Sequence, residues 1–391
     1  MIEKLKEDKF QLYILLGAIG FSLIVSLVWF IHDGINYQEA YNLKLSSLRH
    51  LSSIFDFGSN DDPMPLYFLL LHGVGSLIGR YSSLYVDRLL SLVAYCLAVV
   101  TVYLIGKLID REGSTGVVAA VLVALSPFMV WYGSRATVYS LLAFMAALNQ
   151  LAFIGIFKNR WWAIPLYALT CLIGLGLHYF FLAIIVPQVI YLIMRRKSKD
   201  LPRRSLFLAL GSAALTIAVF CFWVIYSSNY VSYWGFLPFT AKPSATNTFI
   251  IYFQYLFGFQ SVVITTLIIS LWPLLVILAL LAVQKYVRPP EGIKYLFVSA
   301  VLPMLLLFLL SWIWKPLFLS SYLIICLPAF LIFIAWYLSA FKLQALRLAR
   351  YALAIGMAIM MALQIANWQR ALSEDYLGVY PGSFAQVSQN P

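Results

Sequence analysis

The chain alternates long apolar runs with short polar breaks. Eleven runs are long enough to cross a bilayer, roughly 11–31, 89–109, 115–132, 138–157, 161–177, 179–194, 205–227, 260–283, 294–312, 322–341 and 350–366. A helix rises about 1.5 Å per residue, so about 20 apolar residues cover a hydrocarbon core of ~30 Å. Repeated runs of this kind predict an all-α polytopic membrane protein, because a helix satisfies its own backbone hydrogen bonds in lipid. One further run, 65–79, has 15 residues with His72 and three glycines inside it. It is short for a crossing and predicts a re-entrant or interfacial helix.

The breaks carry the charge. If the N-terminus is cytoplasmic and 65–79 does not cross, segments 1–10, 107–112, 158–160, 195–204, 285–294 and 342–350 all face the cytoplasm. They hold 19 of the 27 Lys and Arg. That asymmetry obeys the positive-inside rule and places the C-terminus outside. The outer face then receives a first loop over 32–88 and a second over 228–259. A membrane domain over 1–366 is followed by a short outer tail, 367–391. Within the first loop, residues 41, 45, 48, 51 and 55 form an apolar stripe at helical spacing, which predicts an amphipathic helix over 40–55 lying flat on the leaflet. The second loop holds Tyr230, Tyr233, Trp234, Phe236 and Phe239, read either as an interfacial belt or as a lid over a lipid or sugar site.

Composition agrees: 63% of the 391 residues are hydrophobic, 11% are charged and the mean hydropathy is +0.89. These values exclude a soluble domain. The net charge of +12 is topology signal in the breaks, not a nucleic-acid footprint. Cys96, Cys171, Cys221 and Cys326 all fall inside apolar runs without CxxC spacing, and read as buried small hydrophobes. The N-terminal MIEKLKEDKF leads into a long run with no small-residue cleavage site, so it predicts a retained anchor in the cell membrane.

The polar residues beside apolar runs gather on the predicted outer face. Asp33, Gln38, Glu39, Asp56, Asp61 and Asp62 lie in the first loop, Gly133–Thr137 (GSRAT) ends the third run, His178 and Tyr179 form the turn between the fifth and sixth, and Lys315 precedes the tenth. Ionisable groups at this depth are functional candidates. Each also has a structural reading. Glu39 would cap the flat helix, Asp61 and Asp62 would shape the turn before Pro63, Arg135 and Lys315 would snorkel to lipid phosphate, and His178 would be a satisfied interfacial ring. No metal-ligand spacing is visible. A divalent ion at Asp61 and Asp62 is a minor option, since adjacent residues on an extended chain point apart; no cofactor is predicted.

With these residues in order, the chain resembles the GT-C membrane glycosyltransferases, in particular the protein O-mannosyltransferase and aminoarabinose transferase branch of glycosyltransferase 39 type. The resemblance rests on Gln38-Glu39-Ala40-Tyr41 at the family's acidic pair, Pro63 through His72 at its Pro-Leu-Tyr-Leu stretch, and Arg88-Leu89-Leu90-Ser91. It continues through Leu125-Ser126-Pro127-Phe128 to Tyr139-Ser140-Leu141, and His178-Tyr179-Phe180. It runs in good order through 1–200 and more weakly to about 370. It implies a transferase, inverting, that moves a sugar from a polyprenyl-phosphate donor to a protein, lipid or glycan acceptor at the extracytoplasmic face. The implied base is Glu39, or Asp61 or Asp62 folded over it. Arg135 and Lys315 would hold phosphate, and His178, Tyr179 and Tyr322 would position the donor.

Three polar motifs depart from the family's pattern. Gln38 stands where an acid is usual, Ser134-Arg135-Ala136-Thr137 replaces Gln-Glu-Ala-Arg, and Ser321-Tyr322 replaces Arg-Tyr. Two readings follow: an active transferase, or a catalytically degenerate subunit that binds lipid or scaffolds a membrane protein complex. A transporter is disfavoured, because the two halves lack paired broken helices.

Overall fold

A computed structural model describes residues 2–32, 34–35, 37–47, 64–77, 84–111, 113–198, 201–226, 242–258, 288–314, 317–340, 348 and 351–360. Among them the chain is helical throughout, with no strand. In order, the helices are α1 (Ile2–His32), α2 (Tyr37–Ser46), α3 (Leu66–Leu77), α4 (Leu84–Ile109), α5 (Thr115–Leu125), α6 (Pro127–Gly133), α7 (Val138–Phe157) and α8 (Ala163–Leu177). After a 3-10 turn, Tyr179–Phe181, come α9 (Leu182–Met194), α10 (Arg203–Tyr226), α11 (Ala245–Phe257) and α12 (Glu291–Ile313). A second 3-10 turn, Tyr322–Cys326, leads into α13 (Leu327–Ala340), and α14 covers Tyr351–Met360.

Among the described residues six helices are long and apolar enough to cross a membrane, and α5 with α6, bent by 61°, is either a broken seventh span or a re-entrant pair. The count among the described residues is therefore lower than the eleven expected. The run 260–283 lies outside those residues, and the runs at α8 and after His178 form helices of only 10–17 residues. Helix α3 has 12 residues, about 18 Å, and is too short to span, as its sequence predicts.

The bend corrects the single straight span expected over 115–132, and its cause is local. Pro127 has no N–H to give to the helix and pushes the residue before it out of the helical region. Ser126 accordingly sits at φ −65°, ψ 113° and caps α6, its hydroxyl accepting the Met129 N–H at 3.3 Å. The same hydroxyl donates to the Tyr255 carbonyl at 2.6 Å, and Tyr255 donates to the carbonyl of Leu323. The Leu-Ser-Pro-Phe stretch thus fastens α6 to α11 and to the turn before α13.

The centre of the bundle is α4, α5, α7 and α13, which pack on one another, while α1 and α10 lie at its edge. Helices α4 and α5 meet backbone to backbone. A Cβ on Gly106 would lie 2.3 Å from the Gly116 Cα, so only glycine permits this approach. Mid-bundle polar groups pair with each other. Gln188 Nε2 donates to Asn149 Oδ1 and to the Tyr295 hydroxyl, both at 2.6 Å, and Asn149 donates to Thr170 at 3.0 Å. All four cysteines are free thiols. Cys171 and Cys326 are buried and Cys96 is half-buried, but Cys221, expected inside, is on the exposed face of α10.

Candidate functional site

The site begins with α2, and α2 inverts the expected amphipathicity. Its inward stripe is polar: Glu39, Asn42 and Ser46 are buried, while Ala40 and Lys44 face out and Tyr41 is half-buried against Phe68. Over the described part of the helix expected at 40–55, Tyr37–Ser46, the polar face docks on the protein; residues 48–55 lie outside the described residues. The dock is specific. Asn42 Nδ2 donates to the Ala136 carbonyl at 2.8 Å, the Ala136 N–H donates to Glu39 Oε1 at 2.8 Å, and His72 Nδ1 meets the Ser46 carbonyl at 3.1 Å, bringing α3 alongside.

Glu39 is fully buried, and its partner is Arg88, not Arg135. Arg88 Nε and Nη2 each approach one Glu39 oxygen at 2.8 Å, a two-point pair. The same guanidinium donates to the carbonyls of Phe30 and Gly34 at 2.9 Å, closing the C-terminal end of α1. One Arg–Glu pair therefore joins α1, α2, α4 and the 134–137 segment. The base role expected of Glu39 does not fit this geometry. Both oxygens are occupied by a cation, and taking a proton would leave Arg88 buried without its counter-charge.

Arg135 is placed differently from its expected role as a surface phosphate ligand. Its guanidinium is buried 3.3 Å from the centroid of the Trp131 ring and 5.6 Å from that of Trp29, and its Nη1 donates to the Trp131 carbonyl at 3.3 Å. Stacking of this kind is favourable once the cation is desolvated.

His178, Tyr179 and Tyr322, distant in sequence, come together. The His178 ring stacks on Tyr179 at 4.7 Å and lies 5.0 Å from Tyr322, and Tyr139 lies 6.5 Å from His178 and 6.4 Å from Tyr322. Tyr139 also receives a long hydrogen bond of 3.5 Å from Gln38 Nε2, which connects the aromatic group to α2. His178 Nδ1 accepts the Phe180 N–H at 3.2 Å, so the neutral ring carries its proton on Nε2. Burial pushes the imidazole down to about 3, so it is neutral across the physiological range. Asp33, Asp56, Asp61, Asp62 and Lys315 lie outside the described residues.

Sequence reading passed over two residues. Arg88 was visible as a cation opening an apolar run, a position that calls for a partner. Asp87, beside it, is 2% exposed, and its Oδ2 is buried with no hydrogen bond. The Tyr67 hydroxyl is buried in the electrostatic reach of Asp87 and Glu39, beside Ser91. Among the described residues no cluster of three or more His, Cys, Asp or Glu is arranged to hold a metal ion.

The helical fold as a whole is similar to that of solved structures of ArnT and of an archaeal oligosaccharyltransferase. ArnT from Cupriavidus metallidurans bound to undecaprenyl phosphate superposes at a TM-score of 0.60, with 13% identity over 90% of this chain and 64% of that one. Its apo state gives 0.56, with 14% identity over 88% and 63%. The oligosaccharyltransferase AglB from Archaeoglobus fulgidus, in complex with an inhibitory peptide and a dolichol-phosphate, gives 0.53, with 12% identity over 92% and 56%. This chain thus spans less than two thirds of the length of those proteins, and at these identities the likeness is one of fold. The sequence itself matches no family model and no curated protein.

Proposed function

We propose that this chain transfers a sugar from a polyprenyl-phosphate donor to an acceptor at the end of the bundle that carries α2, with inversion at the anomeric carbon. The observation that supports this most is the carboxylate of Asp87 in the first turn of α4, which has a buried oxygen without a hydrogen bond beside the Glu39–Arg88 pair. A desolvated carboxylate without a partner is costly unless it takes up a proton or meets a ligand. In the reaction the acceptor oxygen attacks the anomeric carbon. The bond from that carbon to the phosphate oxygen breaks, its electron pair stays on the phosphate, and the acceptor's proton passes to a carboxylate. Asp87 takes that role here, with Asp61 and Asp62 as alternatives from the first outer loop. Glu39 positions the site through Arg88. Lys315 meets the leaving phosphate, and Arg135 adds positive potential from its Trp stack. His178, Tyr179 and Tyr322 orient the donor with neutral contacts. No metal is assigned a step. The structures of ArnT with undecaprenyl phosphate and of AglB with dolichol-phosphate support a lipid phosphate as the donor's carrier.

A second reading is favoured by one observation, the commitment of Glu39 to Arg88 while its neighbour Gln38 cannot accept a proton. It makes the chain a non-catalytic subunit that binds lipid or assembles with a membrane complex. Purified protein supplied with radiolabelled polyprenyl-phosphate sugars separates the two. Asp87→Asn is expected to lower transfer by about 100-fold or more, the range for loss of a general base, while copurifying polyprenyl phosphate stays bound. Transfer that is unchanged in Asp87→Asn removes Asp87 from the role. Absence of transfer from any lipid-linked sugar by the wild type supports the subunit reading.

A further inference from the structure

The opposite end of the bundle holds a cavity of about 580 Å³ between the ends of α4, α7, α9 and α12. Its apolar wall includes Ile109, Phe157 and Tyr295, and its polar rim Lys158, Asn159 and Glu291. The sequence explains how Lys158 comes to the rim. Asn159 adopts the left-handed conformation at φ 51°, and the Asn159 and Arg160 N–H groups return to the carbonyls of Ile156 and Gly155 at 3.0 Å. This closes α7 in a tight helix-ending turn, and Asn is among the few residues that tolerate it.

The electrostatics decide the sign of the ligand. The charge of Glu291 is already matched by cations: Lys294 reaches Oε1 at 2.8 Å, and Arg195 and the Tyr191 hydroxyl reach Oε2 at 3.1 and 3.0 Å. Lys158 is exposed and forms no ion pair among the described residues, and Arg195 Nε is buried without a hydrogen bond. Arg195 and Lys294 offset the charge of Glu291 from outside the lining, which leaves Lys158, among the described residues, as the unpaired cation on the rim of a pocket of ordinary small-molecule size. A bare phosphate would fill only a fraction of it, and the aromatic and aliphatic wall suits an organic body.

We propose that this cavity binds a phosphate group carried on an organic body, with Lys158 as its main cation. The assignment is independent of the transferase reading, since it lies at the other end of the molecule. Basic pockets between helix ends also take anionic lipid headgroups, so a soluble phosphate ester and a lipid share this chemistry. The full chain in phosphatidylcholine nanodiscs, titrated with phenyl phosphate and separately with inorganic phosphate, tests the soluble source by thermal shift. Nanodiscs containing phosphatidylglycerol, followed by native mass spectrometry of retained lipid, test the other. Lys158→Gln is expected to weaken the bound species about tenfold, the value of one charged hydrogen bond, and Lys158→Arg to restore it. Gly292→Val, whose side chain enters the cavity near Ile109, gives an independent block that keeps the charge. A response to phenyl phosphate identifies a soluble ester, and selective retention of phosphatidylglycerol identifies a headgroup. If neither probe distinguishes wild type from Lys158→Gln and Gly292→Val, the proposal is overturned.

Discussion

At the scale of the residue, Glu39 shows how a motif can keep its letter and change its task. A carboxylate at the water–lipid edge was legible from the sequence; its pairing was not, because Arg88 lies 49 residues away and only the docking of α2 on α4 brings them to 2.8 Å. The consequence is a stability prediction. Glu39→Gln leaves a buried guanidinium without its counter-charge and should cost about 3–5 kcal/mol, read as a lowered melting temperature in detergent. Glu39→Leu combined with Arg88→Met removes both charges and should be less destabilising than either change alone, because no isolated charge remains. Equal loss in the double and single variants would show that the pair is not the clasp. The same contrast separates Glu39 from Asp87: one should move stability, the other transfer.

At the scale of the element, small residues decide how closely helices meet. Apolar runs announced α4 and α5, but their spacing is set by Gly106 and Gly116, where the two backbones touch. Gly106→Leu forces its first side-chain carbon to within 2.3 Å of the Gly116 backbone. Overpacking of this kind costs about 1–3 kcal/mol or more, and the expected outcome is loss of monodisperse protein on size-exclusion chromatography. Gly17→Ala, which meets nothing within 4 Å, should fold as the wild type, since alanine is the better helix former. Packing also gives form to a stretch whose composition left its structure open. Part of the expected aromatic outer loop, residues 245–257, is the helix α11, with Tyr252 and Tyr255 packed on Phe330 and so given to structure. Tyr230, Tyr233, Trp234, Phe236 and Phe239 lie outside the described residues.

At the scale of the whole molecule, the helix ends sort by charge. Lys158, Arg195 and Lys294, which charge bias assigned to one side, lie at one end of the bundle, Lys158 on the cavity rim and the other two against Glu291, while Glu39, Arg88, His178 and Tyr322 connect through contacts at the other. Under the positive-inside rule the cation-rich end is expected on the cytoplasmic side. Cysteines placed at Ser59 and Ser198 in a cysteine-free background should then react with a membrane-impermeant thiol reagent from opposite sides. Labelling of both from the same side would reverse or break the topology.

The sequence by itself determined the long apolar helices, the side-to-side charge asymmetry and the shortness of α3, because each is written in neighbouring residues through hydropathy and charge. It also pointed to the GT-C fold through a string of short motifs. Only the tertiary structure decided which face of α2 is inward, that Arg88 and not Arg135 neutralises Glu39, and that Asp87 is buried with an unpaired oxygen. Those outcomes depend on which side chains meet across 49 or more intervening residues. In a low-dielectric interior the energy of a charge is set by the partner it finds, and hydropathy along the chain carries no record of that partner.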